Sequence, residues 1–282
     1  MIEALILAAA VKAVPMEVRL KDGATWTVTA ERTHTEQRDG ASAGWSLRTE
    51  RQLRWRKGGL TGNDELTITP VKAEAGPGAA PDLAAAHAFP GPVTVEVDFQ
   101  LKPMSFVDPK AVRTIQAGLE PESAKGPAWR TDAAAMARIA PELALVSRGQ
   151  SHPLVPGKPQ TYAPTLPGPV GPVKGQGAFM LESHDPQAGR AVIVWRQTVE
   201  PAAIRESVEQ ALAMARKIDP TRAERLAREM PAFTTGFEDT CRYEIDLPTG
   251  LAARTVCDLT AGSDTHRVSD RWVITQSLPE PR

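Results

Sequence analysis

The sequence predicts an α+β protein that is mainly antiparallel β, divisible into two lobes of curved sheet with helices packed on one side. Apolar–polar alternation recurs through the first hundred positions, helical patterns begin at acid–proline pairs, and a hairpin pattern joins two cysteines near the carboxyl end. The chain therefore divides into a signal-like segment, a β meander, a helical segment, a proline-rich linker or strap, and an α+β lobe. In that order they cover 1–13, 14–102, 103–150, 151–175 and 176–282.

The first residues resemble an export signal. An apolar run ends at Val11-Lys12-Ala13, which the small-residue rules of signal cleavage accept. Glu3 stands where a basic residue is usual, so a buried first element of the fold is the alternative. We expect residues 1–13 to be removed and the protein to be periplasmic or secreted.

The segment 14–102 predicts an antiparallel meander with Gly-, Asp- and Asn-bearing turns. The clearest strand pattern covers 93–101, where five odd positions are apolar and four even positions are polar. Such alternation is typical of a sheet covered on one face and wet on the other. The predicted strands lie near 16–21, 25–33, 43–56, 64–72 and 93–101.

Helices are predicted where a carboxylate precedes a proline, because these residues suit the cap and the first helical position. An apolar stripe from Ile204 to Ile218 predicts a surface helix docked on a sheet. Another helix is expected over 132–147, interrupted at Pro141. The acid–proline pairs are Asp108-Pro109, Glu200-Pro201 and Asp219-Pro220.

The segment 151–175 contains seven prolines, too many for a helix or a central strand. It is predicted to be a linker, or a rigid strap over one domain. Beyond it, strands are expected near 176–183, 190–199 and 272–275.

The hairpin around Pro248-Thr249-Gly250 fixes a register in which two cysteines face each other. Residues directly opposed in antiparallel strands lie about 4.5–5.5 Å apart at Cα, within reach of a disulfide. We predict a Cys241–Cys257 bond and hence an oxidising compartment, with two reduced buried cysteines as the alternative. The other predicted pairs are Leu247–Leu251, Ile245–Ala253, Tyr243–Thr255 and Glu244–Arg254.

Charge, hydropathy and motifs exclude several classes of function. The 33 basic and 34 acidic side chains nearly cancel, which argues against a nucleic-acid partner. No apolar run reaches the roughly 20 residues of a transmembrane span. No nucleophile elbow or phosphate loop occurs, and Glu182 with His184 indicates a polar loop rather than a metal site. We expect no catalytic residue, no cofactor and no metal.

Two arginines interrupt apolar strand faces and define a candidate ligand pocket. Alternation places Arg51 on one face with Trp45 and Trp55, and Arg32 on one face with Trp26. A buried guanidinium must meet a carboxylate, reach solvent, or line a cavity open to an anionic ligand. The last option predicts an amphipathic pocket. Its residues are Trp26, Arg32, Trp45, Arg51 and Trp55.

The signal-like start, the Trp- and Arg-bearing meander, the helices on one side and the late disulfide hairpin resemble uncharacterised bacterial periplasmic proteins. These are built on an open β half-barrel, the architecture also used by periplasmic lipoprotein carriers. The resemblance implies a non-enzymatic protein whose concave sheet binds an apolar or lipid-like ligand or an envelope protein. The alternatives are a structural or protein-interaction module of the cell envelope, and a hydrolase with an unrecognised site.

Overall fold

A computed structural model describes residues 13–14, 17–59, 62–80, 83–84, 87–88, 91–110, 112, 139–149, 153–167, 172–229, 236–262 and 265–282. Within them, the strands are β1 (Thr25–Arg38), β2 (Ala41–Arg56), β3 (Asp64–Ala75), β4 (Val93–Val97), β5 (Pro103–Phe106), β6 (Gln160–Tyr162), β7 (Thr165–Pro167), β8 (Pro172–Lys174), β9 (Gln176–Asp185), β10 (Arg190–Val199), β11 (Phe237–Asp246), β12 (Ala252–Gly262) and β13 (His266–Gln276). The helices whose bounds lie within the described residues are α1 (Pro141–Arg148), α2 (Pro201–Ile218) and α3 (Pro220–Glu229). Residues 109, 110 and 112 are also helical, directly after Asp108 as predicted.

Eleven strands form one sheet, in the order β5-β4-β3-β2-β1-β13-β12-β11-β10-β9-β6. Every neighbouring pair is antiparallel, which confirms the mainly antiparallel β prediction. β1 pairs with β13 from Val28 opposite Gln276 to Arg38 opposite His266. Because the two halves of the chain share this sheet, the division into two lobes and the α+β description are not confirmed.

One face of the sheet carries the core. Along β2, Leu47, Thr49, Arg51, Leu53 and Trp55 are buried while the residues between them are mostly exposed, as the alternation predicted. Eleven strands at about 4.8 Å spacing would make a flat sheet about 48 Å wide. We refer to the buried face as the concave face, the name that matches the curved sheet predicted from the sequence.

Helix α1 packs on the concave face and begins at Pro141, which was predicted to interrupt a helix. Proline suits the first helical position because its missing N–H would have no intrahelical acceptor there. Leu143 and Val146 of α1, with Ile139 just before it, join the main core. Positions 132–138 of the predicted helical range 132–147 lie outside the described residues.

Helices α2 and α3 are inserted between the paired strands β10 and β11. They begin at Pro201 and Pro220 as predicted, although Glu200 makes no side-chain capping hydrogen bond. The prediction that the α2 stripe docks on the sheet is wrong for its second half. Ile204 packs into a small separate core, but Ile218 is 86% exposed, because the later turns contact α3 instead.

The disulfide hairpin has the predicted register at its open end and a different one at its turn. Ile245 pairs with Ala252 rather than Ala253, because a bulge follows Glu244. The turn is wider than three residues, since Gly250 N–H donates to the Asp246 carbonyl at 2.7 Å. Gly250 has a φ of 72°, the left-handed conformation that glycine favours. The confirmed pairs are Cys241–Cys257, Tyr243–Thr255 and Glu244–Arg254.

Sequence patterns missed the short strands and placed one strand wrongly. The proline-rich segment contains β6, which pairs with β9, and both strands of the separate β7–β8 ladder. No strand covers the described part of 16–21, where Leu20 makes only an isolated bridge to Pro281. Of the signal-like segment, positions 1–12 lie outside the described residues. No described helix has the length and apolar character needed to cross a bilayer.

Candidate functional site

The five residues predicted to line one pocket lie in three different places. Trp26 and Arg51 are buried in the core, where the indole N–H of Trp26 donates to Gln276 at 2.7 Å. Trp55 lines an open cleft of ≈ 270 Å³ at the end of the sheet near Phe99. Arg32 and Trp45 meet on the concave face, with the guanidinium 4.8 Å from the ring centroid.

Arg51 meets a carboxylate, one of the three environments predicted for it. Its Nε donates to Glu142 on α1, and both side chains are 1% exposed. Its Nη2 donates to the carbonyl oxygen of Ile139 at 2.7 Å, and its Nη1 lies 3.5 Å from that of His87. The guanidinium is therefore used to hold α1 and a neighbouring loop against β2.

His87 lies beside this ion pair and is kept neutral. Burial, then the positive charges of Arg51 and Arg32, lower its pKa from 6.5 to about 4. Its Nδ1 is buried without a hydrogen-bond partner in the described part of the chain. A proton on His87 would therefore be unfavourable so close to two guanidinium groups.

The other end of α1 is held by a second ion pair. Arg148 donates to Asp239 of β11 at 3.2 Å, and its guanidinium lies 4.5 Å from the ring centroid of Trp195. Burial raises the pKa of Asp239, and the Arg148 charge partly offsets this. Since Glu142 is bound to β2, the single helix links strands on two sides of the sheet centre.

The disulfide lies on the concave face between two tryptophans. Strand pairing places Trp272 opposite Cys257, Cys257 opposite Cys241, and Cys241 opposite Trp195. The two cysteines are 4.1 Å apart at Cα, and their sulfurs are bonded as predicted. Phe179 of β9 follows Trp195 in the same row. We refer to Trp272, Cys257, Cys241, Trp195 and Phe179 as the disulfide row.

A half-buried group of polar and aromatic side chains adjoins this row on β1, β2 and β13. Arg32 Nε donates to Asp270 Oδ1 at 2.8 Å, and His34 Nδ1 lies 3.1 Å from the same oxygen. His34 stacks on Trp45 at 5.0 Å, and Arg32 lies 5.0 Å from the Trp272 ring centroid. These five residues, Arg32, His34, Trp45, Asp270 and Trp272, are called the arginine cluster below.

No family model and no curated protein sequence matches the chain. Among solved structures it is similar to DynF from the dynemicin biosynthesis pathway of Micromonospora chersina, with 6% identity over 95% of this chain and 86% of that one, at a TM-score of 0.22. It is also similar to MucB in complex with MucA(peri), with 12% identity over 90% of this chain and 94% of that one, at a TM-score of 0.16. At these TM-scores neither likeness carries an argument about fold or function.

Sequence reasoning missed His34, Asp270 and Trp272, although one signal pointed to two of them. Asp270 and Trp272 are two residues apart and so share a strand face. Their approach to Arg32 depends on the pairing of β1 with β13, which joins positions 228 to 248 residues apart and has no local pattern. Glu182, predicted to lie with His184 in a polar loop, lies in β9 and pairs with Arg242. In the described ranges, no three metal-ligating side chains converge.

Proposed function

We propose that the chain is a non-enzymatic protein of the periplasm or the extracellular space that binds an apolar or lipid-like ligand on its concave face. The proposal is supported by two features of the concave face, the helix that covers part of it and the row of apolar side chains on it. Helix α1, which packs in the main core, is eight residues long and is held by ion pairs at both ends. The apolar disulfide row lies on the same face.

Breaking the ion pairs of α1 leaves Arg51 without its carboxylate, so an apolar ligand can replace α1 only if the apolar area that it buries offsets this loss. Desolvating two charges largely cancels their attraction, so a buried pair contributes little net stability compared with apolar side chains of similar volume. An apolar ligand that replaced α1 would bury the same sheet surface, at about 25 cal/mol per Å² of apolar area. We therefore expect α1 and an apolar chain to compete for the concave face.

The buried disulfide and the His34–Asp270 pair support the remaining parts of the proposal. Stable disulfides belong to oxidising compartments, which favours export.

A histidine–carboxylate pair serves hydrolysis only beside a nucleophile, and within the described residues nothing is hydrogen-bonded to Nε2 of His34. Hydrolytic turnover that is lost on His34→Asn would contradict the non-enzymatic part of the proposal.

Native mass spectrometry combined with hydrogen exchange tests ligand binding. The protein is stripped of lipid and mixed with monoolein in detergent-free buffer. We expect a retained adduct, and faster exchange at the backbone amides of α1 when the ligand is present. The amides of α3, which packs on α2, serve as the internal control and should not change. Absence of an adduct together with unchanged α1 exchange would refute the proposal.

A second candidate, a protein-interaction module of the cell envelope, is favoured by the inserted helix pair. Met214 is 62% exposed and Ile218 is 86% exposed on α2. Exposed large apolar side chains are typical of interaction surfaces when they cluster. If this function is correct, replacing both residues with serine should abolish binding to an envelope partner while the monoolein adduct persists.

A further inference from the structure

Arg51 and Arg32, the two arginines of the concave face, differ in the hydrogen-bond partners of their guanidinium groups. Arg51 directs Nε at Glu142 of α1 and Nη2 at Ile139, two residues before the helix. Arg32 uses Nε to reach Asp270, and within the described residues its Nη1 and Nη2 have no hydrogen-bond partner. The Arg32 side chain is 26% exposed, so these two donors are accessible. Two parallel N–H donors at the end of an arginine match the two oxygens of a carboxylate or phosphate.

The arginine cluster holds this guanidinium in a fixed orientation. The rings of Trp45 and Trp272 lie 4.8 Å and 5.0 Å from it, and Asp270 anchors Nε. Asp270 is in turn contacted by His34, which stacks on Trp45. A side chain fixed in this way loses little conformational entropy when it binds a ligand, which raises affinity.

The position of the cluster connects it to the apolar surface. Arg32 lies opposite Trp272 across β1 and β13, and Trp272 is the first residue of the disulfide row. From β13 to β9 this row crosses four strand spacings, about 19 Å at 4.8 Å each, and its five side chains are buried, none more than 9% exposed. An apolar chain that replaced α1 and lay along the row would bring its polar end to Arg32.

We propose that the arginine cluster binds the oxyanion head of the apolar ligand, with Nη1 and Nη2 of Arg32 each donating to one oxygen. The ligand class is an amphipathic anion whose head is a carboxylate or a phosphate. This inference rests on the proposed function, because the chain of the ligand occupies the concave face. Of the two arginines that sequence patterns placed in one candidate pocket, it gives this role to Arg32 alone.

Three probes with the same acyl chain test the head-group site: oleate, 1-oleoyl lysophosphatidate and uncharged monoolein. Dissociation constants are measured by calorimetry for wild type, Arg32→Met and Arg54→Met. Methionine keeps the apolar stem and removes the charge, and Arg54 is an exposed arginine on the other face of β2. We expect Arg32→Met to weaken both anions by about tenfold to hundredfold, the range for hydrogen bonds to charged groups, and to leave monoolein unchanged. Arg54→Met should change none of the three.

The two anionic probes separate the possible sources of the head group. The anion that binds wild type more tightly, and loses more on Arg32→Met, identifies the head as a fatty-acid carboxylate or a lipid phosphate. Arg32→Lys retains charge but lacks the two parallel donors, so it should show an intermediate loss. This variant also provides a second measurement if Arg32→Met unfolds.

The outcomes distinguish this inference from the proposed function. If monoolein binds and neither anion binds more tightly, the inference is wrong while the proposed function stands. The same conclusion holds if Arg32→Met, with wild-type stability in urea, weakens all three probes equally. If wild type binds none of the three probes, both are wrong.

Discussion

Arg51 on β2 and Glu142 on α1 form an ion pair in which each side chain is 1% exposed. The carbonyl of Ile139 accepts a further hydrogen bond from the same guanidinium at 2.7 Å. Charges removed from water in this way are tolerated only while each keeps its partner. Removing either side chain alone would leave the other buried without its partner. This ion pair therefore fixes the position of α1 on β2.

Removing one member of this pair should destabilise the fold strongly. We expect Arg51→Met or Glu142→Gln to lower the free energy of unfolding by about 3–5 kcal/mol, because a buried charge or amide loses its partner. Urea denaturation measures the change. The double variant Arg51→Met/Glu142→Leu should recover most of the loss, since both buried polar groups are then removed.

An exposed ion pair provides the matched control. Arg254 and Glu244 face each other on β12 and β11 at 3.3 Å with side chains 45% and 47% exposed. Arg254→Met should change stability by about 1 kcal/mol or less. Equal losses for Arg254→Met and Arg51→Met would show that burial of the Arg51 pair has no energetic consequence.

The disulfide should be present in exported protein and resistant to reduction while the protein is folded. Both cysteines are at most 2% exposed, so a reductant reaches the sulfurs only after local opening. Alkylation followed by intact-mass measurement should find no thiol in native protein and two after reduction in urea. Two alkylated thiols in native exported protein would contradict the prediction.

Replacing both cysteines tests the energetic role of the bond. The sequence separation of 16 closes a loop that the chain-entropy model values at about 3 kcal/mol. Cys241→Ala/Cys257→Ala should lose at least that much, because two buried side chains are also truncated. A loss below about 1 kcal/mol would show that the unfolded chain gains little freedom without the bond.

Features with a local period could be predicted from the sequence. The face of β2 that carries Arg51 follows from strict alternation, and the Cys241–Cys257 pairing follows from a hairpin with a recognisable turn. The starts of α2 and α3 follow from prolines that suit the first helical position. In each case the information lies within about fifteen neighbouring residues.

Features that depend on distant pairing could not be predicted. Glu142 follows Arg51 by 91 positions, and Asp270 follows Arg32 by 238. The sequence pattern shows that a buried arginine needs a carboxylate, but it does not show which Asp or Glu supplies it. The two arginines were therefore assigned one pocket, whereas β1 and β2 place them at different positions along the sheet. The bulge after Glu244 was also missed, because it depends on a turn wider than the proline and glycine indicated.

Acid should destabilise the fold through His87. Its pKa is about 4 in the folded protein and 6.5 as its ordinary value, so between these values the unfolded chain binds the proton more readily. Stability then decreases as the pH falls from 7 to 4, by about 3 kcal/mol for a shift of this size. Urea denaturation at pH 7, 5.5 and 4 measures how the free energy of unfolding changes with pH.

A variant without an ionisable group isolates this contribution from that of the carboxylates. His87→Asn should reduce the loss of stability between pH 7 and 4, whereas His184→Asn, at an exposed position of β9, should leave it unchanged. The prediction is wrong if the wild-type and His87→Asn curves run parallel across this range.

Gly149, the residue that follows α1, has no room for a side chain. Its φ of −76° suits any amino acid, so replacing it with alanine would ordinarily stabilise the protein by restricting the unfolded chain. Here a Cβ atom would overlap the ring of Tyr243, which is fully buried beneath the end of the helix. We expect Gly149→Ala to lower the free energy of unfolding by about 1–3 kcal/mol, the usual cost of overpacking.

A double-mutant cycle assigns that cost to the ring. In a Tyr243→Leu background the smaller side chain leaves room for the added methyl group, so Gly149→Ala should cost clearly less than in wild type. Urea denaturation of the four proteins gives the coupling between the two positions. A stabilising Gly149→Ala in the wild-type background would show that α1 does not rest on Tyr243, and the packing of this helix on the concave face would have to be revised.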